Sequence, residues 1–135
     1  MDAHELATEY VAAIEALDAE RVLALFSDDG VVHSPLYGDL PATEFFPRML
    51  GDTARAALTL LGSAAGATVR GARLAIWYFA YDWTLDPDGH EPTPEVTGVD
   101  MVDIAELDDE GRIVSFTIVY DTVAARPAFT AVTGG

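Results

Sequence analysis

The sequence predicts an α+β fold, with helices first and an antiparallel sheet of long strands after them. Three observations carry this prediction. Up to Leu50 the apolar residues recur at three- and four-residue spacings, the period of an amphipathic helix. Beyond Gly51 the period drops to two, most clearly in Ala72 to Leu85, where Trp77, Phe79, Tyr81, Trp83 and Leu85 share one face. Between Glu95 and Tyr120 two further alternating runs flank the acidic turn Asp108-Asp109-Glu110-Gly111. A strongly curved sheet of this kind wraps the helices and leaves a pocket lined by the aromatic face of the Ala72 to Leu85 strand.

The elements follow in order. Leu6, Tyr10, Val11, Ile14 and Leu17 make the buried stripe of a helix from Asp2 to Leu17. Asp18 is an N-cap for a second helix, Ala19 to Phe26, broken by Ser27-Asp28-Asp29-Gly30. Val31 to Ser34 reads as a short extended piece stopped by Pro35, and Leu36 to Pro41 as a loop. A third helix spans Ala42 to Leu50, with Pro47 as a point that shortens or kinks it. Leu58, Leu60 and Leu61 mark a strand and Gly62 to Gly66 a loose connection. Asp86-Pro87-Asp88-Gly89 is a turn, and the loop it opens runs to Pro94. The tail from Thr122 to Gly135 shows little pattern, and its Gly-Gly end is expected to fray.

Composition narrows the chemistry. With 135 residues, half of them hydrophobic, the chain is expected to form a single domain spanning 1–135 that needs no staples. It has no Lys, Asn, Gln or Cys, so thiol chemistry and disulfides are excluded. A net charge of -16 repels phosphate, which makes nucleic acid and anionic membranes poor partners. No stretch approaches the roughly 20 apolar residues a bilayer requires, and no basic segment precedes an apolar leader, so a cytoplasmic protein is expected. His90, Glu91 and Asp88 are adjacent loop residues rather than a preformed ligand set, so no metal and no other cofactor is expected.

One residue breaks the pattern. On the face shared by Val99, Met101, Asp103, Ala105 and Leu107, only Asp103 is not apolar. A carboxylate on a buried face is paired, protonated or functional.

The stretch Y-V-A-A-I-E-A-L-D-A-E-R-V-L-A-L-F-S-D-D-G-V-V-H-S-P, from Tyr10 to Pro35, resembles the N-terminal half of ketosteroid isomerase and its SnoaL-like relatives. V-D-I-A-E-L-D-D-E-G-R-I-V-S-F, from Val102 to Phe116, is similar to the paired C-terminal strands of the same nuclear-transport-factor-2-like superfamily. The resemblance implies a cone-shaped, curved antiparallel sheet wrapped around the N-terminal helices, the cystatin-like α+β barrel, and a homodimer formed through the convex sheet face. It also implies an apolar oxygenated ligand such as a steroid, polyketide or terpenoid, isomerised or cyclised by proton transfer with enolate stabilisation. The superfamily also contains non-catalytic binding and dimerisation modules, which remain an alternative.

Carried over residue by residue, the isomerase's oxyanion-hole tyrosine matches Tyr10 and its protonated aspartate matches Asp103. The family's catalytic base falls on Ser34, whose hydroxyl is no base near neutral pH without activation. His33 beside it is the natural replacement, with strand alternation leaving open whether it faces the pocket or the surface. The expected catalytic group is therefore Tyr10, Asp103, His33 and Ser34. The expected substrate-binding wall comprises Tyr37, Trp77, Phe79, Tyr81, Trp83, Met101, Phe116, Ile118 and Tyr120. The epoxide-hydrolase branch fits poorly, because its strand-borne arginine has no counterpart in the middle of Ala72 to Leu85 and its last-strand acid falls on Ile118.

Overall fold

The computed structural model describes residues 1–85 and 95–134. Helix α1, Ala3–Glu15, opens on a capping box: the Asp2 carboxylate accepts from the Glu5 amide, and the Glu5 carboxylate accepts from the Asp2 amide. It closes on Leu17, whose φ of 54° places it in the left-handed region. There the Leu17 amide bonds the Ile14 carbonyl and the Asp18 amide bonds that of Ala13, which satisfies the last turn. Asp18 then caps α2, Ala19–Leu23, through the Arg21 amide.

Helix α2 stops three residues before Phe26, the expected end. Phe26 instead begins β1, Phe26–Ser34, which is also longer than the expected Val31 to Ser34. A register shift between Phe26 and Val31 absorbs the turn-forming Ser27-Asp28-Asp29-Gly30. The expected loop after Pro35 contains β2, Gly38–Pro41, paired antiparallel to β1. Helix α3, Ala42–Gly51, runs through Pro47 and is not shortened by it. A proline in a helix interior removes one backbone hydrogen bond, and the buried Phe45, Phe46, Met49 and Leu50 provide the compensating packing.

Strand β3, Thr53–Ala67, is one unbroken element, so Gly62 to Gly66 belongs to a strand and is no loose connection. It pairs along its length with β4, Arg73–Leu85, through a tight turn in which Gly71 has a φ of 89°. Strand β5, Glu95–Leu107, and β6, Ile113–Val119, form the expected hairpin. Its turn is fixed by the Asp108 carboxylate, which accepts from the amides of Glu110 and Arg112. The tail holds a further helix, α4, Ala125–Thr133, where little pattern was expected. Ala125 and Phe129 are its buried anchors, and two buried positions in nine residues give a weak periodic signal. The expected turn at Asp86 to Gly89, the loop to Pro94, and Gly135 lie outside the described residues.

The six strands form one sheet in the order β2-β1-β6-β5-β4-β3. It is mixed rather than wholly antiparallel, because β1 runs parallel to β6, and it is open, since β2 and β3 are its two edges. The ten-residue α3 touches β1 and β2 near one edge and β3 at the other. Edges five spacings apart in a flat sheet are separated by about 24 Å, against about 15 Å for the helix, so the sheet curls around α3. The core fills that concavity, with α1 packed on β3 and β4. Among the described residues, no helix is long and apolar enough to cross a membrane.

Candidate functional site

Alternation on β4 and β5 places Phe79, Tyr81, Trp83, Met101 and Asp103 on the concave face, opposite α1 and α3. Between these layers lies a cavity of about 50 Å³. That volume admits a few water molecules. The cavity is lined by Tyr10, Ser34, Tyr37, Phe79, Tyr81, Trp83, Met101, Asp103, Ile118 and Tyr120, all expected from the sequence. Ile14, Phe45, Met49 and Leu58 complete it and were not anticipated. The signal for the first three was their place on the apolar helix stripes, which does not distinguish a core position from a cavity wall.

Asp103 is 1% exposed. Its Oδ2 accepts a hydrogen bond of 3.0 Å from Trp77 Nε1, while its Oδ1, also buried, has no hydrogen-bond partner. Burial pushes this carboxyl well above the ordinary carboxylate range, and the Trp77 bond works against that rise. An indole N–H only donates, so Oδ2 is the accepting oxygen, and the proton of the neutral acid belongs on Oδ1. A residue bordering the cavity thus has a carboxyl biased toward its neutral form, with one oxygen that has no protein partner.

Tyr10 is buried with its ring centroid 5.1 Å from that of Phe116 and 5.4 Å from that of Trp77. It borders the cavity beside Asp103, but the hydrogen-bond partner of Asp103 is Trp77 rather than Tyr10. Burial, then the neighbouring Asp103 and Tyr81, raises the Tyr10 hydroxyl above its ordinary range. Burial likewise raises Tyr81, Tyr37 and Tyr120. All four tyrosines lining the cavity therefore present neutral hydroxyls.

Ser34 reaches the cavity, but its Oγ accepts from the amides of Leu36 at 3.2 Å and Tyr37 at 3.1 Å. With both lone pairs engaged, the hydroxyl has only its proton left to offer. His33 lies outside the cavity: its side chain is 40% exposed, and Nδ1 lies 2.9 Å from Asp39 Oδ1 across the β1–β2 pair. Alternation with the buried Val32 turns it outward. Trp77 and Phe116 do not line the cavity either; both are fully buried behind it, Trp77 as the partner of Asp103 and Phe116 against Tyr10.

A profile of the SnoaL-like domain matches residues 7–116 of this chain. The chain belongs to the SnoaL-like family. No curated protein matches the sequence. The fold is similar to that of an NTF2-like protein of unknown function from Burkholderia pseudomallei, at 18% identity and a TM-score of 0.74, covering 96% of this chain and 98% of that one. It is similar to SalBIII, an epoxide hydrolase/cyclase-like enzyme with a role in pyran ring formation in salinomycin, at 18% identity and a TM-score of 0.67, covering 90% and 92%. A protein from Catenulispora acidiphila with a ketosteroid isomerase-like fold, in complex with trimethylamine, matches at 16% identity and a TM-score of 0.66, covering 96% and 92%. These likenesses concern the fold. In this SnoaL-like chain the concave face carries a single carboxyl among the described lining residues, Asp103.

Proposed function

We propose that this SnoaL-like protein is a cofactor-independent enzyme that isomerises or cyclises an apolar, oxygen-bearing small molecule by proton transfer. The observation that supports it is the buried, unpartnered Oδ1 of Asp103 at the edge of an apolar cavity. A neutral acid held there donates to a ligand oxygen and stabilises the charge that develops as a neighbouring C–H is broken. In that step the electron pair of the C–H bond moves onto the carbonyl oxygen held by Asp103, with a Tyr10 hydroxyl beside it. The proton passes to water oriented by Ser34 and returns to a different carbon. Water is a weak base, so the reading favours substrates whose C–H is already acidic, such as 1,3-dicarbonyl units of polyketides.

Deuterium exchange at the α-carbon of 2-tetralone, followed by NMR, tests this reading. Acceleration above the buffer rate that disappears in Asp103→Leu is the expected result. Binding of 2-tetralone without any acceleration by the wild-type protein overturns it.

A second reading, a ligand-binding module without chemistry, is favoured by the outward placement of His33 and the occupied lone pairs of Ser34. Under that reading Asp103→Leu alters affinity alone.

The protein is further proposed to act as a homodimer. The outer sheet face carries Ile76, Tyr78, Val102, Ile104 and Val119 in adjacent register, with Tyr78 and Val119 exposed. Light scattering is expected to give twice the chain mass, and Tyr78→Glu to give monomers; a wild-type monomer at micromolar concentration overturns the assignment.

A further inference from the structure

The cavity of about 50 Å³ is too small for any multi-ring molecule, so a larger ligand there needs space beyond it. Outside it, between α3, α4 and the β1–β2 turn, lies an open groove of about 550 Å³ flanked by Leu36, Arg48, Asp52 and Phe129. Among the described residues, Tyr37 is the one that borders both spaces.

Its attachments differ in kind. The backbone is pinned, since the Tyr37 amide bonds Ser34 Oγ and the neighbouring Pro35 carbonyl accepts from Arg126 Nη2 at 3.2 Å. The side chain is held by different partners. Its hydroxyl donates to Asp52 Oδ2 at 2.8 Å, and its ring rests edge-on against Phe45 and Phe129, with centroids 5.4 and 4.9 Å away. Most other cavity walls belong to strands or to helix faces in the core. Asp52 lies at the end of α3 and Phe129 on α4, so two separate elements hold this one side chain.

The geometry points to Tyr37 as a gate, whose rotation away from Asp52 joins the inner cavity to the outer groove and makes one larger binding site. This rests on the small-molecule reading above and deepens it. The ligand is an uncharged molecule longer than the inner cavity, with its oxygen-bearing end beside Asp103 and its outer end in the groove beside Arg48 and Asp52.

The test has one arm that needs no ligand. The chain has two tryptophans, and Trp83 lines the cavity. Acrylamide, small and neutral, quenches Trp83 emission only when it reaches the interior. Tyr37→Phe removes the latch and keeps the ring, and Asp52→Ala removes the acceptor. Each is expected to raise the bimolecular quenching constant about fivefold, the change in open population for one net hydrogen bond. Thermal melts run in parallel identify any rise that comes from general loosening. Unchanged quenching in both variants overturns the gate. In a second arm, stopped-flow fluorescence of 2-naphthol is expected to show faster association and faster dissociation in Tyr37→Phe. Raised quenching with no 2-naphthol binding in any variant supports the gate and tells against the small-molecule reading on which its ligand rests.

Discussion

Trp77 Nε1 donates to Asp103 Oδ2 across directly paired positions of β4 and β5, and this bond divides the two oxygens of a buried carboxyl into one that accepts and one that has no partner. The division matters because the two oxygens of an isolated carboxyl are equivalent. In the neutral acid the indole favours the proton on the oxygen that has no partner.

Replacing Trp77 with Phe removes the hydrogen bond that favours the ionised form of Asp103. The Asp103 pKa is expected to rise further, and stability to fall by about 1–3 kcal/mol from the lost bond and the smaller ring. Carbon NMR of the labelled Asp103 carboxyl across pH measures the first, and denaturant melts measure the second. A downward shift in the titration contradicts the assigned role of the bond.

Asp103→Asn changes how stability depends on pH. The folded-state pKa of Asp103 lies above its unfolded value of about 3.9. Below that value both states carry the proton. Above it the unfolded chain releases the proton while the folded chain keeps it, so the wild-type protein loses stability as pH rises, until the folded pKa is passed. Asn has no such loss. The variant is therefore expected to gain on the wild type from about pH 4 upward and then to level off. The plateau corresponds to about 1.4 kcal/mol for each unit by which folding raises the pKa. Urea melts between pH 4 and 9 measure it, and a gain independent of pH contradicts the prediction.

Thr53 sits at the start of β3, 2% exposed, with Oγ1 donating to the Met49 carbonyl at 2.6 Å and accepting from Trp83 Nε1 at 2.8 Å. Thr53→Val keeps the shape and strands the indole N–H. A loss of about 1–3 kcal/mol is expected, together with a shift in Trp83 emission.

Gly30 is required by close approach, not by its backbone angles. A Cβ there lies 2.9 Å from the Ile113 carbonyl oxygen and 3.0 Å from Phe26 Cδ2. Gly30→Ala is expected to cost about 1–3 kcal/mol by pushing β1 from β6, read as a lower midpoint in a thermal melt.

Helix α1, the β4 face and the β5–β6 hairpin were legible in the sequence because each has a period and a cap or turn that local chemistry fixes. Gly62 to Gly66 misled because small residues form a strand when a partner such as β4 supplies the hydrogen bonds. Phe26 misled because its strand depends on β6, which lies more than eighty residues away. Proximity of that kind leaves no trace in the local pattern.

The sequence by itself determined that one carboxyl, Asp103, stands on a buried apolar face, and it determined most of the wall around it, because strand alternation sorts side chains by face. It did not determine the partner. Trp77 opposes Asp103 only in the observed register, which shifts between Tyr81 and Trp83. A one-residue slip puts a different side chain there. Tertiary structure alone decided that Trp77 takes one oxygen of Asp103, that His33 turns to Asp39, and that Tyr37 stands between the cavity and the outer groove. Each of these depends on which distant segment packs alongside, and that is set by the register and closure of the whole sheet.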